Sequence, residues 1–445
     1  MYHQFLNRIR TRSLLWETIT TTGWSTAAKA VGFLIPFFIA AWFGVSAETD
    51  AFFFAYGLIL FLSSMFAPVV ESVIVPYIAE ARTKNDDIGK FVGNILGAFS
   101  VGLSVLMGVV LLCIKPVMAI TTKFDPHALN LIYRLLAEST PLVILLFWSS
   151  VLVGTLNTYG KFAFPAISLA VRAIVNLFII YLFKDVLGVH SIVLGYVGGE
   201  IIRLITLLLI IIKLKLFHLL ISIQFHSRLW KFLKTASYQA IGMVAVGLNP
   251  IIDQAMASWL GEGNISVLSY ADRLYMIPIS VLVAGLFPVV LSHWSKGYYQ
   301  NEDRAWLLQQ VKKSVKLVFI VTLAVSIFFI IFSRPLVSLA FARGKFDLSL
   351  MDTLQISFVC YILGLIPYVT SSMFTRAHLV LKNTSLLMRL AILNCIMNIF
   401  LNYFLMHFFG VAGIALSTSV TTAVIAILLF LSFSQIKKGL LNNGL

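Results

Sequence analysis

Apolar residues run in long blocks along this chain, broken by short polar stretches that carry charge, glycine or proline. The blocks predict twelve helices, at 21–44, 51–78, 91–114, 130–157, 163–183, 191–212, 237–260, 268–292, 314–333, 352–375, 386–406 and 411–434. Crossing a bilayer takes about 20 apolar residues, and each block is of that order. Two longer polar segments interrupt the series, 213–236 and 293–313, both basic and amphipathic in pattern. The pattern predicts an all-α polytopic membrane protein.

Composition narrows the class. Apolar residues make up 60% of the 445 residues, charged residues only 11%, and mean hydropathy is +0.95. An ordinary globular domain is about 25% charged. A soluble protein this poor in polar surface could not cover itself. A soluble enzyme with one anchor, a disordered chain and a nucleic-acid-binding protein are all excluded.

Net charge is +15. The basic residues sit in loops, where they set membrane orientation. With the N-terminus inside, the inner loops and flanks hold 22 Lys and Arg against six in the outer loops. Both termini are therefore expected in the cytoplasm. The cysteines, Cys113, Cys360 and Cys395, lie in apolar runs with no CxxC spacing, which implies neither disulfides nor zinc. The Arg8, Arg10, Arg12 cluster leads into a long apolar segment with no small-residue cleavage site, so the first span is expected to be retained.

The two halves echo each other. Asn176-Leu-Phe-Ile-Ile-Tyr181 with Gly188-Val189 recurs as Asn398-Ile-Phe-Leu-Asn-Tyr403 with Gly410-Val411, 222 residues later throughout. Phe66-Ala-Pro68 is matched by Leu286-Phe-Pro288, and the Trp24 to Pro36 spacing by Tyr238 to Pro250. Six spans in each half give parallel repeats about an axis along the membrane normal. The expected organisation is a lobe over 1–212, a cytoplasmic linker over 213–236 and a second lobe over 237–445. Two such lobes around a central cavity suit an alternating-access transporter.

No catalytic constellation, nucleotide motif or metal cluster is present in the sequence, so neither an enzyme nor a cofactor is expected. Charges inside spans then become the candidates, because each is costly unless paired or wet. Arg134 with Glu138, and Glu200 with Arg203, are placed to neutralise themselves along one helix. Lys29, Glu71, Asp253 and Arg273 have no such neighbour and are candidates for lining the cavity, as is Arg172. Asp272 and Arg273 open the eighth span, and Asp50 caps the second. Pro36 and Pro250 occupy matching places in the repeat and are candidate hinges. A basic cavity suits a phosphate-bearing substrate, and arginine can bind diphosphate through two parallel hydrogen bonds.

Several stretches carry a family resemblance. Phe43-Gly-Val-Ser-Ala-Glu-Thr-Asp50-Ala-Phe-Phe, Val75-Pro76-Tyr-Ile-Ala-Glu80, Tyr270-Ala-Asp272-Arg273-Leu and Gly344-Lys345-Phe346 resemble motifs of the MurJ/MviN lipid II flippases. The similarity runs from about residue 20 to 435. It implies two six-helix lobes, a bacterial inner-membrane location and a polyprenyl-diphosphate-linked saccharide as substrate. That substrate would be a lipid II-like precursor or a polysaccharide repeat unit, moved from the inner to the outer leaflet. The resemblance also implies substrate contacts at Lys29, Asp50, Asp272 and Arg273, a monomer among bilayer lipids, and a coupling ion, H+ or Na+. Glu71, Asp253 and Arg172 would serve as cavity or coupling charges. Departures from the family pattern are Ile35-Pro36, where members carry Arg-Asp, and the uncharged Leu62-Ser63-Ser64. Members also carry two further C-terminal helices, and this sequence ends after the twelfth span. The alternative is an ion-coupled antiporter for small organic cations, which would rely on Asp253 and Glu71.

Overall fold

The computed structural model describes residues 30–64, 87–216, 247–301, 304–381 and 383–442, together with residues 24, 78, 80, 220 and 221. Lys29, Glu71, Pro68, Pro76, Tyr238 and most of the 213–236 segment lie outside the described residues. The chain forms two compact units. Unit 1 is Met1–Phe43 with Ala51–Gly247, and unit 2 is Gly44–Asp50 with Leu248–Leu445.

In unit 1 the helices are α1 (Ala30–Phe43), α2 (Ala47–Ser64), α3 (Ile88–Thr121), α4 (Pro126–Thr158), α5 (Ala163–Leu187) and α6 (His190–Lys213). The first turn of α2 belongs to unit 2. Polar residues set the helix starts. Asp87 accepts from Lys90 N at 3.1 Å at the head of α3, and this bond holds its carboxyl below the usual range. Asp125 accepts from Ala128 N at 2.9 Å, with Pro126 in the first turn of α4, where its missing N–H costs nothing. Ser46 and Thr49 bond reciprocally, a capping box that opens α2. Trp148 of α4 donates to Ser100 of α3 at 2.8 Å beside a stacked Phe99–Phe147 pair.

Unit 2 contains α7 (Asn249–Ala257), α8 (Asn264–Asn301), α9 (Arg304–Ile331), α10 (Ser333–Phe341), α11 (Met351–Leu363), α12 (Leu365–Val380), α13 (Thr384–Phe409) and α14 (Val411–Asn442). Three features differ from the sequence expectation. The basic segment 293–313 is helical on both sides of residues 302–303, not a loop. It is held by the buried Trp294 and by Trp306, whose ring fills the space a side chain on Gly297 would need. The single span expected at 352–375 is two helices broken at Gly364. Pro367 has no N–H for the turn before it, and Ser419 of α14 donates to Cys360 O at 2.6 Å at the break. Finally, α10 adds a short amphipathic helix that periodicity alone did not single out. Its Phe341 clusters with Tyr270 and Phe346.

Eight helices among the described residues are long and apolar enough to cross a membrane, taking Leu348–Val380 as one. They correspond to the predicted spans three to six and nine to twelve.

The repeat appears in backbone geometry. Gly188 ends α5 with φ 53° and ψ −137°, and Gly410 ends α13 with φ 57° and ψ −138°. Each amide closes the last helical turn, Gly188 N on Lys184 O and Gly410 N on Met406 O. A side chain is strained at such positive φ, so the spacing of these two glycines marks one hairpin used twice.

Candidate functional site

Asp50 sits in unit 2, where its carboxylate is held by hydrogen bonds within the fold. One carboxylate oxygen accepts from Gly263 N at 2.7 Å; the other accepts from Ser266 N at 2.7 Å and from Ser266 Oγ. Gly263 immediately precedes α8 and Ser266 lies in its first turn, where helix donors have no partner of their own and a negative charge is favoured. Ser266 Oγ also meets Thr49 Oγ1 at 2.9 Å, and Tyr270 donates to Gly44 O at 3.0 Å. Asp50 is 2% exposed. Sequence could not reveal this cap, because backbone amides carry no residue signature.

Asp272 and Arg273 lie two turns further along α8, both half-buried. Arg273 makes no ion pair among the described residues, so its guanidinium retains its donors. Tyr275, one turn below, stacks on Tyr361 of α11 with ring centroids 5.4 Å apart.

Asp253 of α7 gathers the other polar group of unit 2. It is 6% exposed and accepts from Asn402 Nδ2 at 2.6 Å and from Thr418 Oγ1 at 3.4 Å. Asn402 Nδ2 also reaches Asn398 Oδ1 at 3.3 Å. Asn402 Oδ1 is buried with no hydrogen-bond partner among the described residues. The result is one carboxylate, two side-chain amides and a hydroxyl brought together from α7, α13 and α14. Hard monovalent cations take oxygen ligands of this kind, and a proton on Asp253 would also balance its charge. Sequence reading named Asp253 without its partners. Asn398 and Asn402 are one turn apart on a predominantly apolar helix, and that spacing was the available signal.

Arg172 of α5 bonds Glu200 of α6 at 2.9 Å, and Arg203 bonds the other Glu200 oxygen at 3.1 Å. The expected Glu200–Arg203 pair is therefore part of a trio. Glu138 bonds His190 at 2.8 Å rather than Arg134, because the start of α6 approaches α4 at that level. The two candidate hinges differ. Pro36 lies buried inside α1, whereas Pro250 is exposed in the first turn of α7, just after the helical path breaks at Leu248.

Comparison with known proteins adds a family to this geometry. The family described as Lipid II flippase MurJ matches residues 39–444. This chain belongs to that family. The probable lipid II flippase MurJ of Buchnera aphidicola subsp. Acyrthosiphon pisum is 27% identical, over 94% of this chain and 83% of its own. The lipid II flippase MurJ of Thermosipho africanus is also 27% identical, over 95% and 86%. Among solved structures, a lipid II flippase MurJ in an inward closed conformation superposes with a TM-score of 0.79 at 23% identity, covering 94% of this chain and 87% of that one. An inward-facing multidrug resistance MATE family transporter of the MOP superfamily reaches 0.76 at 14% identity, covering 95% of this chain and 99% of that one. These two likenesses establish the shared all-α polytopic transporter fold. Family membership comes from the sequence match.

Proposed function

We propose that this protein is a flippase that moves a polyprenyl-diphosphate-linked saccharide from the inner to the outer leaflet of the bacterial inner membrane by alternating access. The observation that carries the reading is the family match over residues 39–444. The cargo is lipid II or a related carrier-linked repeat unit, with Arg273 and Lys29 on its phosphates and Asp272 beside them. The guanidinium of Arg273, which makes no ion pair among the described residues, supports that assignment, since Arg can clamp a diphosphate through two parallel bonds. No reaction chemistry is needed for such a role, and the protein acts as a monomer with both termini in the cytoplasm.

The coupling ion, H+ or Na+, is assigned to Asp253 with Asn398, Asn402 and Thr418. Support comes from the unpartnered Asn402 oxygen beside a buried carboxylate that has only neutral hydrogen-bond donors. Export of organic cations is the less favoured reading, because the MATE likeness extends to the fold alone at 14% identity.

The test is reconstitution in liposomes with a fluorescent lipid-linked disaccharide diphosphate. Wild type should expose the label to an external quencher, and Arg273→Ala should reduce the rate by ~10-fold or more, as loss of a charged bidentate contact implies. Asp253→Asn should abolish any response of the rate to an imposed Na+ or proton gradient. Transport of organic cations with no movement of the lipid would reject the reading.

A further inference from the structure

Unit 1 carries a charge imbalance that the assignments above do not use. Glu200 is fully buried, and its two oxygens serve two guanidiniums, Arg172 at 2.9 Å and Arg203 at 3.1 Å. One negative charge against two positive ones leaves the trio cationic. No second carboxylate pairs with either arginine among the described residues. Arg203 stands ~20 Å along α6 at 1.5 Å per residue, near the middle of a bilayer, where an uncompensated cation is costly. Donors also remain unspent: Arg203 Nε is buried without an acceptor. The Arg172 side chain keeps 27% of its surface exposed, so the trio is reachable. Beside it, Tyr56 and Tyr196 bring their rings within 4.4 Å of each other.

A purely structural tie would explain the pairing, but the internal repeat argues against a need for one. Shifted by 222 residues, Arg172, Glu200 and Arg203 become Asn394, Thr422 and Ile425, all uncharged. The α13–α14 hairpin forms without those charges and ends in the same glycine geometry. The charges thus serve something particular to unit 1.

We propose that Arg172 and Arg203, oriented by Glu200, form a phosphate-binding site in unit 1 that receives the diphosphate of the lipid-linked substrate. This rests on the flippase reading. Two guanidiniums on one carboxylate present their free N–H groups together, and an arriving phosphate neutralises the excess charge and fills the vacant donors. Glu200 fixes both side chains in advance and keeps the site from holding the anion too tightly to release it.

The experiment titrates undecaprenyl diphosphate and undecaprenol against the full-length protein in phosphatidylcholine nanodiscs, with phosphatidylglycerol and inorganic diphosphate as competitors. Arg172→Gln and Arg203→Gln should each weaken undecaprenyl diphosphate binding ~10-fold or more, given hydrogen bonds to a charged group. Undecaprenol binding should not change. Glu200→Gln removes the competing carboxylate and should tighten diphosphate binding. If the two arginine-to-glutamine variants do not fold, Arg203→Lys and Glu200→Gln decide, the first expected to weaken and the second to tighten. Wild-type affinity in the arginine variants, or weakened binding in Glu200→Gln, would overturn the site while leaving the flippase reading intact. Displacement by phosphatidylglycerol as effective as by undecaprenyl diphosphate would make it a general phospholipid contact and overturn the substrate assignment. Failure of wild type to distinguish the diphosphate from undecaprenol would instead count against the flippase reading itself.

Discussion

At Asp50, a single carboxylate satisfies two helix-end amides and a hydroxyl, supplied by residues more than 200 positions away in the chain. Removing it leaves those donors buried without acceptors, each costing about 1–3 kcal/mol. Asp50→Ala should lower the thermal unfolding temperature of the detergent-solubilised protein clearly, and Asp50→Asn, which keeps one acceptor oxygen, should fall between the two. A role confined to substrate would leave unfolding of the ligand-free protein unchanged in both variants. The contrast with Arg273 is instructive. Both residues lie in motif stretches, yet Asp50 has spent its hydrogen-bonding capacity inside the fold and Arg273 makes no ion pair among the described residues.

The α5–α6 hairpin shows what a helix pair demands of its sequence. Gly195 and Gly199 stand one turn apart on α6, and an added Cβ would lie 2.6 Å from Ile180 at the first and 2.9 Å from Arg172 O at the second. Small residues at this spacing let two membrane helices approach closely. The repeat positions in α14 are Ser417 and Thr421, so that pair is built to accommodate side chains. Gly195→Ser and Gly199→Val should therefore destabilise, by about 1–3 kcal/mol for overpacking, while Ser417→Gly should cost less. Thermal unfolding of the three variants checks the order.

The same hairpins show which elements could be read from sequence. Apolar block length located the helices, and the positive-φ glycines gave the repeat its register, since only their backbone geometry penalises replacement. The break at Gly364 was less legible, because its repair comes from Ser419 on a distant helix. The Arg172–Glu200 bond was invisible for a similar reason. It joins residues 28 apart, while the i,i+3 partner Arg203 was visible and explained only half of the carboxylate.

For the whole molecule, the proposed orientation in the membrane rests on the basic residues, 22 of which fall in the loops and flanks assigned to the inside against six assigned to the outside. Long helices and short connections make that bias effective, because loop charges close to the spans decide which end crosses. The end of α5 and the 344–346 turn should then face outward, and the ends of α6 and the start of α9 inward. Single cysteines test this once Cys113, Cys360 and Cys395 are replaced by serine, Cys113 being exposed on its helix. Asp185→Cys, in a side chain 78% exposed, and Lys345→Cys should react with a membrane-impermeant maleimide in intact spheroplasts. Lys213→Cys and Lys313→Cys should react only after permeabilisation. Labelling of Lys213→Cys from outside alongside Asp185→Cys would break the helix count between them. The reverse pattern at all four positions would invert the molecule, and with it the direction of transport.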